Sequence, residues 1–451
     1  MKITRSYGNL PDYVLKYLKK FGQDKWTLEL NEEKKFDIAI VIPAVMEYDN
    51  IRKLLVSLVE NDKTYFHKCV IIFVINQIRN SIAEIKEDND RSLKLLRSIV
   101  GREKGNKDAL VKKVVESGLN IGLVDAASEG LQFNHKDGGV GLARKIGMDL
   151  ALTVQDYNHL STKRILVCLD ADCRVDRNYI IEVYNSFQRS NISGAYIKFR
   201  HEIEGDETVH RAMICYEIFL RYYVLGLKIA GSPFAFHTVG STLACDADSY
   251  VKIGGMNRKK AGEDFYFMEK LAKIGEIYHI DKTTVYPAGR DSWRVPFGTG
   301  PRVKRFKQKT HDEYQLYSFK SFLLLKAWLN IFYEVEVFSS DQYLKAVKDL
   351  NEVLYNFLFI NSFKDEWNKI LENSKTTAQI HKQKLLWFDG FRTLKFIHYL
   401  RDNAFPDENM FDVLEEVFAY LSMDIDFGRE KGAVPDVQLQ VKYLDKLREL
   451  T

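Results

Sequence analysis

The sequence predicts an α/β protein: a mostly parallel, Rossmann-like sheet covered on both faces by helices, followed by an α-helical C-terminal region. Apolar runs without polar alternation recur at residues 37–42, 69–75, 120–124 and 165–169, as strands buried on both faces require. Helix-patterned segments separate these runs, which points to crossover connections and a parallel sheet. Beyond about residue 311 the chain is nearly free of glycine and carries Leu, Phe, Lys and Glu at helical spacing.

A length of 451 residues suits a core domain with an appended region. The expected division is an N-terminal arm at 1–35, a core domain at 36–310 and a helical region at 311–451. Hydrophobic residues make up 46% and charged residues 28%, a globular composition that excludes a disordered chain. A formal net charge of +4 gives no argument for nucleic acid as a partner. The 5 cysteines include no C-x-x-C pair, so neither a disulfide framework nor a structural zinc site is indicated. The most apolar long segment, 213–230, carries Glu217, Arg221 and Lys228 and is too charged for a membrane span. The start lacks a signal-peptide pattern. The expectation is a cytoplasmic protein without a transmembrane segment, with peripheral contact to the inner face of the membrane allowed.

In the arm, Tyr13, Val14, Tyr17, Leu18 and Phe21 fall at helical spacing and predict a helix packed on the core domain. The first strand closes at Pro43 and Ala44, and a helix follows at 51–59. The second strand ends in Asn76 and Gln77. A charged, helix-forming insertion spans 79–118, in which Asp88 and Asp90 read as a solvated turn. Gly138, Gly139 and Gly141 then open a helix that carries Arg144, and glycines there let a phosphate or another backbone approach closely. The spacing is neither a P-loop nor a G-x-G-x-x-G fingerprint. After the fourth strand come a strand at 194–200, an aromatic helix at 211–228 and a strand at 239–245. Next are a turn at Gly254-Gly255-Met256, a helix beginning near Asp264, and a basic loop with Arg290, Arg294 and Arg302.

Asp-x-Asp occurs at Asp88/Asp90, Asp170/Asp172, Asp246/Asp248 and Asp424/Asp426, so context must separate them. Asp170 and Asp172 stand at the end of an apolar strand. Residues at i and i+2 of an extended segment point to one side, and open α/β sheets bind ligands beyond the carboxyl ends of their strands. Two carboxylates there suit a hard divalent cation that keeps waters and shares positions with phosphate oxygens. Asp246/Asp248 follow a strand-like run and compete for the same role.

Taken in order, Val41-Ile42-Pro43-Ala44 with Glu47, Asn76, the segment from Gly138 to Gly147 with Arg144, Leu169-Asp170-Ala171-Asp172, Gly254-Gly255-Met256 and Gly262-Glu263-Asp264 resemble family 2 glycosyltransferases of the GT-A (nucleotide-diphospho-sugar transferase) fold, over about residues 36–305. The resemblance implies that Pro43, Ala44, Glu47 and Asn76 hold the nucleoside and that Arg144 approaches the base or diphosphate. It implies that Asp170 and Asp172 hold the ribose and a divalent cation, Mn²⁺ or Mg²⁺, with Asp172 the direct ligand. Asp264 would be the catalytic base, with Glu263 second in rank, and Asp246/Asp248 become helix-capping residues.

The implied reaction moves a sugar from a UDP- or GDP-sugar to a hydroxyl of a glycan or lipid-linked glycan, with inversion, in cell-surface polysaccharide or glycoconjugate synthesis. A cation on the diphosphate stabilises the leaving group, and a carboxylate opposite it deprotonates the attacking hydroxyl. A retaining GT-A transferase and a non-catalytic sugar-nucleotide-binding scaffold are the alternatives. Two departures stand out. Asn76 replaces the Asp of many relatives, and the loop at 286–290 lacks the histidine that often completes the metal site. His279, nearby, reads as a packed residue. Arg290 and Arg294, with Arg302, would then neutralise part of the diphosphate charge.

Overall fold

The computed structural model describes residues 2–3, 10–103, 105–136, 138–159, 162–188, 192–203, 205–289, 299–308, 310–334, 337–423, 425 and 427–451. The chain divides into two compact units, Met1–Ile203 with Thr238–Gly298, and Glu204–His237 with Thr299–Thr451. Helix Glu207–Ile229, assigned by the linear reading to 36–310, therefore belongs to the second unit. Its buried residues lie on several sides, from Val209 and Met213 to Tyr222 and Leu225. A helix apolar around most of its circumference needs other helices on those sides, and Phe319–Leu329 and Val437–Leu450 supply them.

The first unit is built on strands β1 (Ile38–Ala44), β2 (Cys69–Asn76), β3 (Asn120–Ala126), β4 (Ile165–Cys168), β5 (Ile192–Phe199), β6 (Leu243–Asp246) and β7 (Glu276–Gly289). Their order across the sheet is β3-β2-β1-β4-β6-β5-β7. All run parallel except β6, which is antiparallel to both β4 and β5. The expected α/β class with a mostly parallel sheet is thus observed. β1 and β2 are buried along their whole length, which explains their unbroken apolar sequence. The residues expected to continue a strand from Val239 instead form a short 3₁₀ turn, Gly240–Thr242, before β6.

Topology places the site. The chain builds outward from β1 through β2 to β3 and then returns to the other side of β1 to form β4. The order reverses between β1 and β4, and the carboxyl ends of these two strands flank the crevice where such sheets bind ligands. Val41 pairs with Cys168 at the end of the shared ladder, and Leu169 N donates to Val41 O at 3.1 Å. The loop after Ala44 and the Asp170–Asp172 segment are therefore neighbours.

Helix Val140–Ala151 packs on this sheet through glycine. A Cβ on Gly147 would meet Val74 Cγ2 at 2.9 Å and Val41 Cγ1 closer still, so only glycine permits this approach. The N-terminal helix Asp12–Phe21 is fastened to the same element. Tyr17 OH and Tyr250 OH each donate to Asp149 Oδ1 at 2.8 Å, and Lys145 Nζ lies 2.9 Å from Asp149 Oδ2. Val14, Tyr17 and Leu18 of the expected helix are buried, whereas Tyr13 and Phe21 are exposed. Asp246 caps helix Ala247–Lys252, accepting from the backbone N–H of Asp248 and Ser249 at 3.0 Å each, the role that the resemblance implied for the Asp246/Asp248 pair.

The second unit is helical, from Phe319–Leu329 through Val437–Leu450, as periodicity predicted. Its core is aromatic, with Trp328 stacked on Phe332 at 4.8 Å and Trp367 fully buried beside Tyr343.

Candidate active site

The rim at β1 and β2 is held by side-chain amides. Pro43 and Ala44 are buried at the end of β1. Asn76 Nδ2 donates to Ala44 O at 3.0 Å and Val74 O at 3.2 Å. Asn89 donates to Asn76 O at 3.1 Å and Gln77 Oε1 at 3.0 Å, and it accepts from Met46 N at 2.9 Å. Met46 has φ of 56°, a left-handed conformation uncommon for a residue with a side chain, so this hydrogen bond holds a strained turn. Asp88 Oδ1 accepts from Tyr48 N at 3.1 Å, satisfying the start of helix Tyr48–Val59. Glu47 is buried and accepts from Asn50.

Asp88 and Asn89 thus correct the reading of a solvated turn, because both lie in helix Ala83–Val100. The signal was present in the sequence. Ile85, Asn89 and Leu93 share one helical face at i, i+4 spacing, so Asn89 is a polar residue on an apolar stripe. Such a position is buried and must be hydrogen-bonded.

Arg144 joins the two remaining parts. Its guanidinium is 3% exposed; Nη2 donates to Asp170 Oδ1 at 2.6 Å, and Nη1 donates to Glu263 Oε1. Burial works against its charge, but Asp170 and Glu263 outweigh that, and the net shift of its pKa is upward. A Cβ on Gly240 would lie 2.6 Å from Arg144 Nη2, so the absence of a side chain at Gly240 makes room for the guanidinium. Sequence reasoning gave Gly240 no role. Gly141 matters in the same way, since a Cβ there would meet Asn257 O at 2.9 Å and Glu263 Cβ at 3.2 Å. The close approach expected of these glycines is made by backbone.

Glu263 and Asp264 begin helix Glu263–Ala272 behind Gly262, whose φ is 71°, a value that favours glycine. Glu263 is buried and spent on Arg144. Asp264 keeps some surface, and its Oδ1 accepts from Phe265 N at 2.7 Å. Loss of hydration, then the charge of Glu263, push its pKa up to about 7, against the opposing pull of Arg144 and the Phe265 N–H. Three carboxylates therefore surround one guanidinium, and Asp264 is the one not hydrogen-bonded to it.

Asp172 is half-buried just beyond Asp170. Among the described residues no group of three or more His, Cys, Asp or Glu side chains is placed to hold a metal ion. What exists is a pair of hard oxygen donors at a strand end, one of them already neutralised by Arg144. This donor set fits a magnesium- or manganese-type ion that keeps waters and takes its remaining ligands from a substrate. His279 lies in β7 with its ring stacked on Tyr196 at 4.4 Å, a packed position. Arg290 and Arg294 lie outside the described residues. Arg302 belongs to the second unit, pairs with Glu313 and covers the ring of Phe219, so its charge is matched locally and not held for a diphosphate.

Comparison with known proteins gives weak likenesses. No protein-family model matches the sequence, and no curated relative does. Among solved structures, the chain is similar to residues 1–349 of S. aureus TarS at 10% identity, over 72% of this chain and 80% of that one, with a TM-score of 0.34. The same TarS segment in complex with UDP-GlcNAc is similar at 12% identity over 70% and 80%, with a TM-score of 0.33. The mannosyltransferase PcManGT from Pyrobaculum calidifontis, in complex with GDP-Man and Mn²⁺, is similar at 13% identity over 86% and 94%, with a TM-score of 0.37. The functional reading rests on the chain's own residues. Among the described residues no helix is long and apolar enough to cross a membrane.

Proposed function

We propose that the chain is a GT-A-type glycosyltransferase of the family 2 kind, which transfers a sugar from a UDP- or GDP-sugar to a hydroxyl acceptor with inversion. The observation that carries this reading is the Arg144 bridge. It gathers the Asp170–Asp172 strand end and the Glu263–Asp264 helix start at one switch point, although they are distant in sequence.

Each group then has one task. The turn from Pro43 to Glu47 and Asn76 wall the nucleoside, with the Asn76 amide in the place of the Asp of related enzymes. Asp172, with Asp170 beside it, holds Mn²⁺ or Mg²⁺, which supplies charge neutralisation at the diphosphate. Asp264 takes the proton of the acceptor hydroxyl as the oxygen bonds to the anomeric carbon and the bond to the diphosphate breaks. A base with a pKa near the operating pH is well matched to this work, which typically contributes ~10²–10⁴-fold. Glu263 and Arg144 set the position of Asp264 and Asp170. Arg290 and Arg294 complete the neutralisation of the leaving group. The acceptor is a glycan or lipid-linked glycan in cell-surface polymer assembly.

The test is transfer and hydrolysis of a UDP- and GDP-sugar panel by the full chain, with and without Mn²⁺, alongside nucleotide binding to Asp172→Asn. Turnover with one donor class, dependent on Mn²⁺, supports the reading. No turnover with any donor, together with unaltered nucleotide binding by the variant, would sink it.

A further inference from the structure

A second recess in the first unit lies beside the start of helix Val140–Ala151, on the side away from Arg144. It has a volume of about 210 Å³ and is lined by Lys25, Trp26, Gln132, Phe133, Leu142 and Arg258, among others. Leu142 and Arg144 are two positions apart on one helix, so their side chains leave it about 200° apart. The recess and the carboxylate cluster therefore flank opposite faces of the same turn.

The rim is cationic. Lys25 and Arg258 line the recess, Arg79 and Lys260 are tied to the loop at Phe133–His135 beside it, all four are exposed, and none makes an ion pair among the described residues. They are gathered by backbone contacts. Lys25 Nζ donates to Gln132 O at 2.9 Å, Arg79 N to Phe133 O at 3.1 Å, and Lys260 Nζ to His135 O at 2.8 Å. Proximity shows in Lys25, which is held below the usual lysine range by partial loss of hydration and by Arg79. Asp24 is the acidic residue in the lining. The back wall is firm and apolar: Trp26 meets Phe133 edge-on at 5.5 Å, and its Nε1 donates to Leu131 O at 2.8 Å.

We propose that this recess is a phosphate-recognition subsite that holds a phosphate group of the acceptor. The assignment to the acceptor rests on the glycosyltransferase reading. The donor diphosphate belongs at the Asp170–Asp172 end, on the opposite face of the helix. Arg258 and Lys259 stand in the segment that leads directly into Glu263 and Asp264, so a phosphate anchored here ties the acceptor to the element that bears the base. The enzyme would then prefer an acceptor that carries a phosphate ester over a neutral sugar.

Glycerol 3-phosphate serves as the probe, titrated calorimetrically into the full chain with and without saturating nucleoside diphosphate and Mg²⁺. Binding should persist when the nucleotide site is filled. It should weaken roughly tenfold in Arg258→Glu, weaken similarly in Lys25→Glu, recover in Arg258→Lys, and stay unchanged in Lys94→Glu on the remote helix Ala83–Val100. Displacement of the probe by nucleoside diphosphate, an affinity in both charge-reversed variants equal to that of the parent chain, or no binding at all overturns the subsite. Circular dichroism of each variant separates lost binding from lost folding. Donor turnover is measured separately: a chain that binds the probe through Arg258 yet transfers no sugar keeps the anion site and loses the glycosyltransferase reading.

Discussion

Arg144 Nη2 and Asp170 Oδ1 lie 2.6 Å apart, and the same guanidinium meets Glu263 through its other terminal nitrogen. Both Arg144 and Glu263 are 3% exposed. A buried carboxylate stripped of its paired cation is costly, so Arg144→Met should destabilise the first unit by about 3–5 kcal/mol. The double variant Arg144→Met/Glu263→Met should recover much of that, because the fully buried charge of Glu263 goes with its partner, whereas Asp170 is 36% exposed and can be hydrated. Urea unfolding of the two variants checks this. A double variant no more stable than the single one would mean that packing, not charge pairing, holds the cluster.

Asp170 and Asp172 should separate in metal dependence. Asp170 is paired with Arg144, whereas the proposed function gives Asp172 the direct contact with the cation. Asp172→Asn should therefore raise the Mn²⁺ concentration needed for nucleotide binding by tenfold or more, and Asp170→Asn should do so less. Nucleotide titrations across a Mn²⁺ series measure both, and equal effects would assign the ion to the pair jointly.

Asp264 predicts the pH behaviour. The base must be ionised, so kcat/KM should rise with pH through a midpoint near its pKa of about 7, and Asp264→Asn should abolish that limb along with activity. Stability runs in the opposite direction. Unfolded, the carboxyl titrates near 3.8; folded, it holds its proton longer. The stability contributed by that proton is complete below about pH 4 and is lost as pH rises through about 7. Asp264→Asn resembles the protonated form, so its Tm should exceed that of the parent chain at pH 8 and match it near pH 4. A flat Tm difference across that range would deny the raised pKa.

The rim offers a test that spares the charged cluster. Asn89→Ala removes the acceptor that holds Met46 and the donor to Asn76 O and Gln77, leaving buried polar groups unmade at about 1–3 kcal/mol. Because it loosens the nucleoside wall and not the base, KM for the donor should rise more than kcat falls. A variant with the opposite split would place Asn89 outside donor binding.

These residues also mark how far the sequence could be read. Parallel strands and the Asp170–Asp172 strand end were legible because burial on both faces writes itself as unbroken apolar runs and because a strand's end is local. Asp264 was reachable through the order of motifs. The pairing of Arg144 with Asp170 and Glu263 was not, since it joins residues far apart in sequence and depends on how closely helix Val140–Ala151 approaches the sheet. Helix Glu207–Ile229 was assigned to the wrong neighbours for a similar reason: an apolar helix shows in sequence that it is covered, but not by what.

Gly240 gives the sharpest single-residue prediction, because the change introduces no charge and removes none. A methyl at Gly240 would stand 2.6 Å from Arg144 Nη2 and 2.7 Å from Nη1. An exposed arginine would swing aside at little cost, but this one is buried and fixed at both ends by Asp170 and Glu263. Gly240→Ala must therefore push the guanidinium off its partners or displace the turn Gly240–Thr242, at a cost of about 1–3 kcal/mol for overpacking. If Arg144 moves, Asp170 is released and Glu263 shifts against Asp264. The pH midpoint of kcat/KM should then rise, because Arg144 is the group that pulls the Asp264 pKa down. A pH–rate profile combined with urea unfolding separates the outcomes. Loss of stability with an unmoved midpoint would confine Gly240 to packing, whereas a raised midpoint with most of the stability retained would show that space for Arg144 is what glycine provides there.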